Sequence, residues 1–216
     1  MIVAFDTYYY NGFSYTVGGV FESWADSNVS YYVTSKRDCI DAEYKSGELY
    51  KRELPCIMQC LSLIDIKNID TIVIDGYVWL SEDGKELTKG LGAKLSDSIK
   101  MLYDVDIDIV GIAKNPFHVK IPNCFEINHG LNSSKPLFVT CSNPENAKDY
   151  SVLVSRMHGD YRIPTILKGV DSKTREFAEK IENENVFEEM QPIEIDFGSF
   201  DEWVKETEER GFRYNR

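Results

Sequence analysis

Three carboxylates stand among apolar neighbours. In "MIVAFD" the alternation of a strand puts Ile2, Ala4 and Asp6 on one face and Val3 and Phe5 on the other. In "TIVID" Val73 and Asp75 share a face in the same way. In "YKSGELYKRELP", residues 44–55, a helix over 47–64 carries Ile57, Cys60, Leu61 and Ile64 on one stripe, and one step of four back from Ile57 reaches Glu53. Burying a lone carboxylate costs several kcal/mol or forces its neutralisation. Lys51 and Arg52 are direct neighbours of Glu53, and adjacent residues on a helix do not face each other. A cation from elsewhere in the chain is the alternative left open. Asp6 and Asp75, taken singly, are what strand ends commonly carry. Neighbouring parallel strands would bring these two together, with the helix laying Glu53 over them. Three converging carboxylates repel one another, and a hard divalent cation such as Mg²⁺ resolves the repulsion by taking oxygen ligands.

The elements that must position these acids follow from the pattern. "MIVAFDTYYY", "GFSYTVGGVFES" and "VSYYVTSK" are rich in β-branched and aromatic residues and are broken by "NG" and "DSN", which describes an antiparallel meander. The glycine pair in "TVGGVF" reads as a bulge rather than a phosphate loop. After the helix come a buried strand at 70–75, a turn-like "SEDGKELTKG", a helix at 91–103, and strands in "DIDIVGIAK" and at 136–142. Asn143 caps a helix with Pro144 at its first position, Asp171 caps another in "DSKTREFAEKIENE", and Ser199 caps a last one in the tail. A meander followed by alternating helices and strands implies an α/β fold. Its core is one mixed sheet of five or more strands, antiparallel meander plus parallel strands, with helices on both faces, the ribonuclease H-like arrangement. Residues 1–178 form this domain and 179–216 an acidic helical appendage.

Composition narrows the function. A chain of 216 residues holds one sizeable core and has no room for the duplicated domain of an actin-like phosphotransferase. The net charge of −12 argues against a broad basic surface. No run approaches the ~18 apolar residues of a membrane span. No basic and apolar leader opens the chain, and the 5 cysteines show neither metal spacing nor disulfide density, so a reduced, cytoplasmic protein is expected. Cys56 and Cys60 read as a core-facing pair, and His118, His129 and His158 have no ligand spacing. The "YYY" at 8–10 would stack bases or pack within its strand; Tyr77 and Trp79 would line a base pocket or pack under the next loop.

Several short motifs together resemble the endonuclease V family. "YKSGELYKRELP" is similar to its Tyr, Gly and Arg-Glu-x-Pro series, and "IVIDGY" to its strand ending in Asp-Gly. "KGLGAKL" is similar to the Gly-Leu-Gly entry to a helix, "IDIVGIAKN" to its Gly-Val-Ala-Lys strand, and "KPLFVTCS" with "DYRIPTILKGVD" to its late strand and Arg-Leu-Pro segment. The resemblance implies a ribonuclease H-like fold and cleavage of nucleic acid strands near deaminated bases such as hypoxanthine, with Mg²⁺ or Mn²⁺. It makes Asp6 and Asp75 metal ligands, Glu53 the third acid, and Asp171 the residue closing the metal site. Lys114 falls beside the phosphate or the attacking water, and Tyr44 at the aromatic wedge. Tyr8 takes a position where the family often has an aromatic, and Gly47 and Gly76 would let the backbone approach substrate. The implied partner is DNA or RNA, single-stranded or structured. The rival is a binding or regulatory protein that keeps the fold without turnover.

Overall fold

The computed structural model describes residues 1–38, 50–131 and 133–184. Its N-terminal meander is β1 (Ile2–Tyr10), β2 (Phe13–Phe21) and β3 (Tyr31–Asp38). Asn11 and Gly12, at φ 49° and 80°, make the two-residue turn that matches strand twist. The β1–β2 register runs unbroken from Ile2 opposite Phe21 to Tyr10 opposite Phe13, so the expected bulge is absent. Gly18 serves packing instead: a Cβ there would lie 2.7 Å from the Phe5 ring and 2.8 Å from Val33 Cγ2.

Helix α1 (Tyr50–Leu61) follows, shorter than the expected 47–64. Residues 47–49 lie outside the described residues. At the other end the Leu63 and Ile64 amides bond back three residues, to Cys60 and Leu61, and tighten the chain into a turn. Next come β4 (Thr71–Asp75), a small hairpin of β5 (Trp79–Leu80) and β6 (Thr88–Lys89), α2 (Leu91–Tyr103) and β7 (Asp108–Ala113). The chain continues through β8 (Phe125–Ile127), β9 (Leu137–Cys141), α3 (Ala147–Ser155) and α4 (Thr165–Glu184). Neither the hairpin nor β8 was expected; each strand is too short to show a period.

Two helix starts differ from expectation. Asn143 captures the Glu145 amide with its side chain, 3.1 Å, which makes a turn, and α3 begins only after Asn146. Helix α4 begins six residues before Asp171, where Lys168 N–H bonds the Pro164 carbonyl at 2.9 Å. Asp171 is therefore a mid-helix residue and not a cap.

The sheet order is β3-β2-β1-β4-β7-β9-β8. β1, β4 and β7 are parallel at the centre, and both flanks are antiparallel. Strand alternation sorts the two faces. On one, Cys56 of α1 meets Ser14 and Gly92 of α2 approaches Ile74, beside Val3 and Phe5. On the other, Ile2, Ala4, Val73 and Val110 pack with Val154 of α3 and Ile166 and Val170 of α4. Cys56 and Cys60 are buried, as a core-facing pair should be.

The first compact unit is Met1–Lys180; the second is Ile181–Arg216, described only for 181–184, the end of α4. The expected tail helix capped by Ser199 lies outside the described residues. No described helix is long and apolar enough to cross a membrane.

Candidate active site

The parallel pairing of β1 with β4 ends at Phe5 opposite Ile74. Asp6 and Asp75 are the next residue on each strand, so the sheet itself sets them side by side. β7 continues the row: Asp75 lies opposite Ile112, and Lys114 follows two residues later. Here the Lys114 ammonium meets the Asp75 carboxylate at 2.5 Å. Glu53 arrives from α1 on one face of the sheet and Asp171 from α4 on the other. All five line a single cleft of about 540 Å³. A smaller pocket of about 160 Å³, floored by Ala4, Val73 and Leu137, opens beside it under α4.

The electrostatics record the crowding. Burial pushes Glu53 up to about 8, with the charges of Asp75 and Asp6 adding and Arg52 opposing. Burial also raises Asp6; contact with Thr174 works the other way, while Asp171 and Asp75 raise it further and Lys114 lowers it. Burial pulls Lys114 down, but its bond to Asp75 and the charges of Asp6 and Asp171 outweigh this and raise it. Asp171 goes the other way: burial raises it, yet Lys168 at 2.6 Å and Arg175 at 3.3 Å outweigh burial and hold it low.

Among the described residues, no three His, Cys, Asp or Glu side chains stand close enough to share a metal ion as placed. The donor chemistry still fits one. The acidic groups are carboxylates alone, oxygen donors of the kind Mg²⁺ takes, and their mutual repulsion is what a divalent charge relieves.

No protein-family model matches this chain, and no curated protein matches it by sequence. Solved structures do match. Endonuclease V of Ciona intestinalis, in complex with a 24mer DNA containing an inosine followed by a ribo-adenosine, aligns at TM-score 0.62 and 20% identity, over 83% of this chain and 86% of that one. Endonuclease V of Bacillus subtilis aligns at TM-score 0.57 and 19% identity, over 85% and 81%. Human ENDOV aligns at TM-score 0.57 and 19% identity, over 84% and 85%. The chain has the fold of endonuclease V.

That fold, a ribonuclease H-like mixed sheet, accounts for most of the motif order. Gly111, in the endonuclease V-like "GIAK", packs under the loop that leaves Asp75: a Cβ there would lie 2.5 Å from the Gly76 carbonyl oxygen and 2.9 Å from Val78 N. Gly76 takes φ 120°, a conformation that disfavours side chains, and lines the cleft. Tyr8 lines it too. Tyr77 reaches it while its hydroxyl bonds Asn115 O at 2.7 Å. Trp79 packs away, donating to Cys141 O at 2.9 Å. Of the site residues expected from sequence, Asp6, Tyr8, Glu53, Asp75, Gly76, Lys114 and Asp171 are brought together. Tyr44 and Gly47 lie outside the described residues.

Two residues were missed. Arg175 lines the cleft and pairs with Asp171 one helical turn away; the i,i+4 spacing was the available signal. Arg162 donates from its guanidinium to the Lys114 carbonyl and, at 2.7 Å, to Pro136 O. It thereby ties the end of β7 to the start of β9.

Proposed function

We propose that this protein is a divalent-metal-dependent endonuclease that hydrolyses phosphodiester bonds in DNA or RNA, near deaminated bases such as inosine. One observation carries the reading: Asp6, Glu53 and Asp75 line a single cleft from two strands and a helix, despite their repulsion. Asp6 and Asp75 would ligate Mg²⁺ or Mn²⁺, with Glu53 completing the set directly or through water and Asp171 closing it from α4. When bound, the ion supplies charge neutralisation at phosphate and a more acidic water. Lys114 keeps a positive charge at the cleft wall, where negative charge grows on the phosphate in the transition state. Tyr8 offers a ring to a neighbouring base, and Gly76 leaves its backbone open to substrate. Tyr44 and Gly47 complete the substrate-binding set in this reading. In-line attack on phosphorus leaves 5′-phosphate and 3′-hydroxyl ends. A net charge of −12 disfavours tight binding to long duplex and favours single-stranded or structured substrates.

A second reading, binding without turnover, draws on the Lys114 ion pair that occupies Asp75 and on the spacing of the acids. The two part in one experiment: end-labelled inosine-containing single-stranded DNA and RNA, with Mg²⁺ or Mn²⁺, wild type against Asp75→Asn. The nuclease reading expects cleavage by wild type and a loss on the order of 100-fold or more in the variant. No cleavage of either strand in either metal sinks it, and oligonucleotide binding would then leave the second reading.

A further inference from the structure

β1 continues for four residues beyond Asp6, to Tyr10. Its even-numbered side chains stay on the α4 face, so Asp6, Tyr8 and Tyr10 stand in file. Across the pairing Tyr10 lies opposite Phe13 and Tyr8 opposite Tyr15, and Tyr15 lies opposite Lys36 on β3. The Tyr8 and Tyr10 rings are 6.1 Å apart and 14° from parallel. Arg175 of α4 stands over Tyr8 at 4.9 Å, and Lys36 over Phe13 at 3.8 Å. Tyr10, at the tip, is 45% exposed. Three rings and two cations thus make one stripe, whose inner members Tyr8 and Arg175 already line the cleft.

Core packing does not require this arrangement. Tyr10 at the hairpin tip leaves nearly half of its surface in solvent, and in a chain with 24 Lys and Arg against 36 Asp and Glu two cations on one aromatic stripe run against the overall charge. Same-face side chains recur every ~7 Å along a strand, so the rings are offered one after another. Rings in file, two of them with a cation against the face, suit unstacked bases joined by phosphates: a base takes the ring face and the displaced cation meets the adjoining phosphate. A duplex keeps its bases stacked inside and offers these rings nothing.

The geometry points to a single-strand track on the β1–β2 hairpin: bases stack on Tyr8, Tyr10 and Phe13, phosphates meet Arg175 and Lys36, and the strand runs into the carboxylate cleft. Delivery of a scissile phosphate rests on the nuclease reading; binding along the hairpin does not.

The test is fluorescence anisotropy in EDTA with labelled oligo(dT), oligo(U) and a short duplex of equal length, paired with cleavage in Mg²⁺ and Mn²⁺. The proteins are wild type, Tyr10→Ala, Lys36→Gln and a control, Tyr31→Ala, at the far end of β3, about 23 Å along the strand. Tyr10→Ala is expected to weaken both single strands about tenfold and leave the duplex unchanged. Lys36→Gln is expected to weaken them and to flatten the salt dependence by about 0.7 in log–log slope. Tyr31→Ala should match wild type, and all four should melt alike. Single-strand affinity within twofold of wild type in both variants overturns the track, and so does a wild type that binds no single strand. Cleavage reports separately. A wild type that cuts while the variants bind normally keeps the nuclease and loses the track. Variants that lose binding while nothing is cut keep the track and lose the nuclease.

Discussion

Arg162 governs where Lys114 stands. Its guanidinium serves the carbonyls of Lys114 and Pro136 together, and the Lys114 side chain then reaches Asp75. A planar fork can hold two acceptors in fixed geometry; an ammonium on a flexible stem cannot. Arg162→Lys is therefore expected to cut the cleavage rate about tenfold with little change in oligonucleotide affinity. Equal losses in both would show that Arg162 acts through stability or binding. A second residue, Lys94 of α2, is almost fully buried, with its ammonium 4.0 Å from the Tyr50 ring. Burial, then the charge of Lys89, brings it down to about 8 against a pull from Asp97. An unfolded lysine titrates near ~10.4. The folded state thus prefers neutral Lys94: the stability it contributes is complete above ~10.4 and is lost as pH falls through about 8. Lys94→Met should stabilise the protein by ~1–3 kcal/mol at neutral pH. In urea denaturation that advantage should shrink between pH 8 and pH 10; an advantage constant with pH would remove the buried charge as its cause.

Among the elements, the loop leaving β4 is the tightest construction. A Cβ on Gly111 would meet two backbone atoms of that loop and Thr140 Oγ1, all within 2.9 Å. Val78 N–H also donates to Thr140 Oγ1, at 3.0 Å. Gly111→Ala is expected to cost ~2–4 kcal/mol, because backbone cannot yield as a flexible side chain does. Gly76→Ala meets open space and pays only the positive φ, roughly 1–2 kcal/mol. Thermal denaturation should rank Gly111→Ala below Gly76→Ala, and the opposite order would contradict the packing account. Asp6, Glu53 and Asp75 were legible in the sequence because strand alternation and helical period are local, and one misplaced acid breaks either. The start of α4 was not. Gly169 and Asp171 look like punctuation, but Ile166 and Val170 pack on the sheet and carry the helix through them. That longer helix brings Asp171 and Arg175 to the cleft from the face opposite Glu53, a relation between distant segments that no local pattern encodes. The contacts of Gly111 and Arg162 are equally long-range, so their motifs were visible while their reasons were not.

For the molecule as a whole, burial and mutual repulsion raise Asp6 and Glu53, and the metal-dependent reading expects a divalent cation to relieve that cost. Mg²⁺ at about ten times its dissociation constant would add ~1.4 kcal/mol by mass action. For a domain of this size that is a rise in melting temperature of roughly 3–6 °C. The rise should exceed that from KCl at matched ionic strength and vanish in Asp75→Asn. An equal response to KCl would mean general screening of the −12 charge instead of a site. The cleft also spans every layer of the fold. Asp6 and Asp75 extend two hydrogen-bonded strands, whereas Glu53 and Asp171 stand on helices stacked against opposite sides of the sheet. The gap between the first two is a lattice spacing; the gap between the last two is the thickness of a sandwich. Hydrostatic pressure or a swollen core would therefore change one dimension of the cleft and spare the other, making its width a gauge of how tightly the layers are pressed together.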